Sequence, residues 1–174
     1  NLNKDFNARK LVGDNPEDIS DKKYGNNKVY SKKRNDSLHG THVAAIIAQG
    51  RDNGLGGDGV ADNVEIMPIR AVPNGDEYDK DIALAIRYAV DNGARVINAS
   101  FGKDYSPHAQ WVYDAIKYAA SKDVLIVHAA GNDSKDIDTE PNFPTDDVDG
   151  KEIADNVLTV GALNYEYGEK VVAN

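Results

Sequence analysis

The chain has 174 residues, enough for one domain with a sizeable core, and its hydrophobic content of 40% argues against disorder. Its formal net charge of −9 disfavours a nucleic-acid partner, because phosphate groups would be repelled. No apolar run approaches the roughly 20 residues that cross a bilayer, and the absence of cysteine excludes disulfides, thiol catalysis and thiolate zinc sites.

A polar N-terminal segment precedes the first predicted helix and strand. Residues 1–38 are irregular and rich in Asn, Asp, Lys and Gly, which is typical of a long surface excursion. Residues 39–49 are rich in Ala and Ile and are followed by Gly50, which predicts a buried helix. A Gly-rich turn comes next, and residues 64–70 then predict the first strand.

Two amphipathic helices and three more strands are predicted after that strand. Apolar residues recur at helical spacing over residues 82–90 and again over 111–119. Residues 95–99, 124–127 and 157–160 are apolar runs that predict strands. Because helices alternate with strands, the pattern predicts an α/β fold with a parallel sheet and right-handed crossovers. The runs are continuous rather than alternating, so we expect the strands to be covered on both faces.

The carboxyl ends of parallel strands are the places where we expect the chemistry of such a sheet. In this sequence they correspond to the turn after Arg70, to residues 100–102, and to Gly131-Asn132.

Two histidines, His39 and His42, lie three residues apart at the start of the first predicted helix. A zinc site on one helix face needs a third ligand and usually the spacing H-E-x-x-H, whereas Gly40 and Thr41 lie between these two. The remaining interpretations are two histidines without a role, or a general base held at a helix start where small neighbours let another chain approach.

The segment His39-Gly-Thr-His-Val-Ala resembles the histidine motif of the subtilases, the subtilisin-like serine proteases. Other segments resemble further motifs of that family, in its own order, over nearly all of residues 36–162. They are Asn53-Gly-Leu-Gly-Gly-Asp-Gly-Val-Ala61, Val96-Ile-Asn-Ala-Ser-Phe-Gly102, Ala129-Ala-Gly-Asn132, Asn142-Phe-Pro144 and Val157-Leu-Thr-Val-Gly-Ala162. The resemblance implies a three-layer α/β fold, incomplete here, with a mostly parallel sheet and helices on both faces.

The same resemblance implies a role for particular residues in peptide hydrolysis. His39 corresponds to the catalytic base, Asn132 to the amide that stabilises the oxyanion, and His42 to a structural position. A side-chain amide placed in advance can donate to the developing oxyanion without reorganising. The residues that would contact a polypeptide substrate are Ser100, Phe101, Gly102, Ala130, Gly131, Val72 and Gly75.

Three other patterns are set aside. Gly54-Leu-Gly-Gly-Asp-Gly59 matches G-x-G-x-x-G, but it follows a helix and precedes a strand, the reverse of a dinucleotide site. The glycosylation tripeptides at Asn35, Asn98 and Asn132 are better explained by chance. Asp5 and Asn53 resemble positions that bind a structural calcium ion in some relatives, but further ligands are not recognisable, so no cofactor and no metal are assigned.

The sequence also departs from the family pattern. No Asp-Ser/Thr-Gly motif precedes His39 and no Gly-Thr-Ser-Met-Ala motif follows, and Ser31, Ser37, Ser106 and Ser121 lack the nucleophile's context. We therefore expect residues 1–174 to be the central part of one catalytic domain, inactive alone and prone to self-association. The alternative is a non-catalytic peptide-binding pseudoprotease. The resemblance suggests a secreted or cell-envelope location.

Overall fold

A computed structural model of the chain describes residues 7–72, 75 and 77–163, which divide into two compact units. The sheet unit comprises the described residues of Asn1–Gly25 and Asp76–Asn174, and the histidine unit those of Asn26–Gly75. The elements along the chain are α1 (Ala8–Val12), a 3-10 helix (Arg34–Ser37), α2 (Leu38–Ala48), α3 (Asp79–Asp91), β1 (Val96–Ala99), α4 (Ala109–Ala120), β2 (Leu125–Ala129), β3 (Asp147–Val148), β4 (Lys151–Glu152) and β5 (Val157–Val160).

Three strands of the sheet unit form a parallel sheet in the order β1-β2-β5. Val96 of β1 lies opposite Leu125 of β2, and Ile126 of β2 lies opposite Val157 of β5. The short strands β3 and β4 form a separate antiparallel pair. Because α3 leads into β1 and α4 connects β1 to β2, the prediction of a parallel sheet with alternating helices is confirmed for this unit.

The helices α3 and α4 bury the faces that their helical spacing predicts, and they pack against each other. A glycine with a φ of +88°, Gly93, ends α3, and the next residue's N–H donates to the carbonyl of Ala89 at 3.0 Å. None of the helices in the described part of the chain combines the length and apolar composition that a bilayer crossing requires. The buried apolar residues are Ile82, Ala83, Ile86, Ala89 and Val90 in α3, and Val112, Ala115, Ile116 and Ala119 in α4.

One face of the sheet is exposed, although the continuous apolar runs predict cover on both faces. Register places Val96, Leu125, Leu158 and Val160 on the same face, and these side chains are 38–58% exposed. On the other face Ala99, Ile126 and His128 are buried, whereas Ile97 and Val157 are half-buried. Among the described residues nothing buries the first face, so the prediction of cover on both sides is not met in this part of the chain.

The strand predicted over residues 64–70 is wrong, because the structure has neither helix nor strand there. Val64, Ile66 and Ile69 are 37–50% exposed, so the segment also buries little of its apolar surface. A strand requires a neighbour with which its backbone groups can pair. In the described part of the histidine unit no second strand pairs with these residues.

The helix α2 forms where it is predicted, but the prediction that it is buried is wrong. It spans Leu38–Ala48 and contains no buried residue. Its apolar side chains are distributed around the helix rather than along one stripe, so that burial requires cover on all sides. The histidine unit leaves Leu38 65% exposed and Ile46 53% exposed.

Within the sheet unit, the first turn of α3 binds the N-terminal segment through buried charges. Lys80 is 1% exposed and donates from Nζ to Oδ1 of Asp14 at 2.5 Å and to the carbonyl of Asn15 at 2.7 Å. Arg9 forms ion pairs with both Asp14 and Asp81. A buried charge is tolerated only where such partners satisfy it. We call Arg9, Asp14, Lys80 and Asp81 the α3 ion cluster.

Replacing Lys80 with methionine is expected to lower the free energy of unfolding by about 3 kcal/mol, because it removes one of the two cations that pair with the buried carboxylate of Asp14. The control is Arg95→Met, which breaks an exposed ion pair with Asp123 and is expected to cost less than about 1 kcal/mol. Urea titration of the two variants measures both values. Equal effects would show that burial of the pair is immaterial.

Candidate functional site

The segments that follow β1 and β2 form the centre of the candidate site. Residues 100–102, here called the first wall, continue from β1, and residues 130–132, the second wall, continue from β2. Because β1 and β2 are parallel neighbours, both walls begin at the same edge of the sheet. The second wall is fixed at its start, where the N–H of Ala130 donates to the carbonyl of Val160 at 2.9 Å.

Asn142 lies between the two walls. Its Nδ2 donates to the carbonyl of Ala129 at 2.9 Å, directly before the second wall. A Cβ atom on Gly102 of the first wall would come within 2.3 Å of Asn142 Oδ1, so any larger residue there would displace this side chain. Gly131 has a φ of +96°, a conformation that favours glycine, and its missing Cβ would lie 3.5 Å from Asn142 Nδ2. The structure therefore brings the two predicted walls together around one amide.

A buried histidine forms a hydrogen bond with the main chain of the first wall. The ring of His128 in β2 is 2% exposed, and its Nε2 lies 2.8 Å from the carbonyl oxygen of Phe101. Since a carbonyl only accepts, Nε2 carries the proton. This residue was not predicted from the sequence, although a histidine directly after the apolar run of a predicted strand is a recognisable sign of a buried polar contact.

Burial lowers the pKa of His128 below its ordinary value of 6.5, while the hydrogen bond to Phe101 opposes that shift. The unfolded chain therefore gains this proton at a higher pH than the folded chain. We expect the free energy of unfolding to fall as the pH decreases below about 6.5.

Denaturant titrations of wild type and His128→Gln between pH 7.5 and pH 5.5 measure this dependence. The variant is expected to be less stable at pH 7.5 and to lose less stability on acidification. The comparison isolates His128, because His108, which lies 2.7 Å from Glu17, is common to both proteins. Parallel pH profiles would contradict the assignment.

Lys103 and Asp79 form an ion pair beside the first wall, and this pair was not predicted from the sequence either. Lys103 Nζ lies 2.6 Å from Asp79 Oδ1, and Asp79 is 4% exposed. Together with Phe101 and Phe143 they line a small recess. Nothing in the spacing of Asp79 and Lys103 along the sequence indicates the contact, because 23 residues intervene between them.

Asn132 is exposed at the end of the second wall, next to Gly131. His39 is exposed in the first turn of α2, one turn before His42, which is also exposed. Asn132 belongs to the sheet unit and His39 to the histidine unit. The convergence of these two groups on one reacting carbonyl stays a prediction.

Val72, Gly75 and Asn53 also lie in the histidine unit. Val72 is half-buried and Gly75 is exposed with a φ of +102°, while Pro73 and Asn74 between them lie outside the described residues. Asn53, which resembles a calcium position, uses its side chain in a turn: Nδ2 donates to the Gly50 carbonyl and Oδ1 accepts from the N–H of Leu55. Asp5 lies outside the described residues.

Within residues 7–72, 75 and 77–163, no three side chains of the types His, Cys, Asp and Glu come close enough together to hold a metal ion. The groups that the described residues offer to a ligand are the main chain of the two walls, the exposed amide of Asn132 and the exposed imidazole of His39.

Comparison with known proteins gives consistent results. The model of the subtilase family matches residues 3–171. Over 127 residues, the chain is 40% identical to the thermophilic serine proteinase of Bacillus sp. (strain AK1), covering 72% of this chain and 29% of that protein. It is 38% identical over 130 residues to the cell wall-associated protease of Bacillus subtilis (strain 168), covering 74% of this chain and 13% of that protein.

A solved structure, that of the prenylagaramide maturation protease PagA, is similar with a TM-score of 0.60 and 32% identity. The match covers 77% of this chain and 45% of that one. The chain thus spans less than a third of the two Bacillus relatives and less than half of the solved structure.

Proposed function

This chain belongs to the subtilase family of serine proteases, and from that premise we propose that it is the central part of an endopeptidase domain that hydrolyses peptide bonds by a Ser-His-Asp mechanism. The serine and the aspartate would be supplied by parts of the full-length protein outside residues 1–174. The observation that carries the proposal is the arrangement of the two walls at one edge of the parallel sheet, with Asn142 between them.

In the proposed mechanism the serine attacks the carbonyl carbon of the scissile peptide bond. The imidazole of His39 accepts the serine's proton and then donates it to the leaving amine. Negative charge develops on the carbonyl oxygen in the tetrahedral transition state, and the amide of Asn132 donates a hydrogen bond to it. Because Asn132 is exposed at the end of the second wall, a substrate carbonyl has access to its side chain.

Substrate binding is assigned to the two walls. A polypeptide laid along the edge of a sheet forms main-chain hydrogen bonds, which give affinity, while pockets for alternate side chains give selectivity. We assign Ser100, Phe101 and Gly102 of the first wall and Ala130 and Gly131 of the second wall to this role. Val72 and Gly75 are assigned to the opposite edge of the substrate.

The test is peptide hydrolysis by the full-length protein, expressed from its complete gene, together with labelling by a serine-reactive fluorophosphonate. We expect the full-length protein to cleave peptides and to be labelled, and the 174-residue chain to do neither. A full-length protein that binds peptides but neither cleaves them nor reacts with the probe would be a pseudoprotease, and the proposed function would be wrong.

We also propose that the full-length protein acts outside the cytoplasm, in line with the name of the cell wall-associated relative. Isolated residues 1–174 are expected to self-associate, because Leu125, Leu158 and Val160 expose one face of the sheet. Size-exclusion chromatography with light scattering measures the second expectation. A stable monomer at micromolar concentration would contradict it.

A further inference from the structure

Lys103 follows the first wall directly, and its side chain is held in place by two groups. Its side chain is 15% exposed, and Nζ lies 2.6 Å from Asp79 Oδ1 and donates to the carbonyl of Glu77 at 2.7 Å. A lysine that only contributed solubility would extend into water, because ordering its side chain costs conformational entropy. Here the ammonium group is instead fixed at the start of α3.

The carboxylate of Asp79, which pairs with this lysine, is itself held by further hydrogen bonds. Its carboxylate also accepts from Oγ of Ser106 at 2.5 Å and from the N–H of His108 at 2.8 Å. Burial by itself would raise the pKa of Asp79, but the hydrogen bonds from Lys103, Ser106 and His108 hold that pKa below its usual value. The carboxylate is therefore charged and fully bonded, which makes the helix start a fixed anchor for Lys103.

The backbone of Lys103 connects this ion pair to the second wall through hydrogen bonds with Phe143. Its N–H donates to the carbonyl of Phe143 at 3.1 Å, and the N–H of Phe143 donates back to the carbonyl of Lys103 at 2.9 Å. The preceding residue, Asn142, bonds the carbonyl of Ala129 and fills the space beside Gly102. A continuous path of contacts thus runs from Asp79 through Lys103 and Phe143 to the start of the second wall.

We propose that the Asp79–Lys103 ion pair is a positioning pair, which sets the spacing of the two walls and thereby the affinity for an extended polypeptide substrate. This inference rests on the proposed function. The pair is assigned no contact with the reacting carbonyl or with the proton that is transferred. Its loss is therefore expected to weaken substrate binding more than it slows the chemical step. A misplaced wall loses main-chain hydrogen bonds that are made equally in the ground state and in the transition state, which raises KM and leaves kcat nearly unchanged.

The experiment compares Lys103→Met, Lys103→Arg and Asp79→Asn in the full-length protein, with Lys122→Met as control. Lys122 is an exposed lysine beyond α4, so the control removes the same charge away from the walls. Rates are expressed per active site, counted with a covalent serine titrant. This readout separates positioning from folding, because a variant that merely folds poorly lowers the number of titrated sites and keeps its KM.

We expect Lys103→Met and Asp79→Asn to raise KM for a hexapeptide about tenfold, with kcat within about twofold of wild type. A single-residue ester, which does not span the walls, is expected to show little change. Lys103→Arg keeps the positive charge that pairs with Asp79 and is expected to restore KM to within about threefold. The Lys122→Met control is expected to behave as wild type.

Unchanged KM per titrated site in both Lys103→Met and Asp79→Asn would overturn the proposal, and so would a failure of arginine to rescue. Asp79→Asn keeps the test available where Lys103→Met fails to fold. A wild-type protein that neither cleaves nor is titrated overturns the proposed function instead. In that event, the Kd of a labelled hexapeptide is measured on the same variants by fluorescence anisotropy. The positioning role predicts the same tenfold loss in affinity. An unchanged Kd contradicts that role.

Discussion

Replacing His39 with alanine in the full-length protein is expected to lower kcat by about a million-fold. The side chain is assigned as the only proton acceptor for the attacking serine, and without it the hydroxyl is a poor nucleophile at neutral pH. Removal of the base alone costs about as much as removal of the whole triad, because the members act as a unit. Single-turnover kinetics on a chromogenic peptide, normalised to folded protein by circular dichroism, measure the loss.

The matched control is His42→Ala. His42 lies one turn further along α2 and is exposed like His39, so both changes remove an imidazole from the same helix. We expect the control to change kcat by about tenfold or less. Equal losses at the two positions would mean that the helix, and not the imidazole at position 39, is what the reaction requires.

Replacing Asn132 with leucine is expected to lower kcat by about 10²–10³ and to change KM little. Leucine has nearly the shape of asparagine but cannot donate a hydrogen bond to the oxyanion, which exists only in the transition state. The size of this effect is taken from the corresponding change in a subtilisin, a member of the same family. Steady-state kinetics on a peptide amide substrate measure both constants.

The neighbouring change Asp133→Asn serves as control for Asn132→Leu, because Asp133 is exposed on the same loop and has no assigned role. It is expected to leave kcat within about threefold of wild type. If Asn132→Leu raised KM and left kcat intact, the amide would contribute to substrate binding rather than to stabilisation of the transition state.

Those parts of the fold that depend on local pattern were predictable from the sequence. The helices α3 and α4 follow from apolar residues such as Ile82 and Ile116 at helical spacing, and these residues are buried as expected. The strands β1, β2 and β5 follow from apolar runs, and the parallel pairing of β1 with β2 follows from α4, the helix between them. The two walls are predicted because strands that run parallel end at the same edge.

Those parts that depend on a distant partner were not predictable. Residues 64–70 have the composition of a strand, but in the described residues they have no strand to pair with. The helix α2 has the composition of a buried helix, but burial is decided by what surrounds it. The contacts of Asp79 with Lys103, and of His128 with Phe101, join residues about 25 positions apart, which no local periodicity reports.

The α3 ion cluster has a consequence for the order in which the chain becomes organised during its synthesis. Lys80 and Asp14 are 66 positions apart, and Arg9 and Asp81 are 72 apart, so the early segment is made long before its partners exist. At a ribosomal rate of about 5–20 residues per second, the wait is about 3–15 seconds. Throughout that interval the charges of Arg9 and Asp14 remain hydrated, and they are withdrawn from water only when the first turn of α3 emerges.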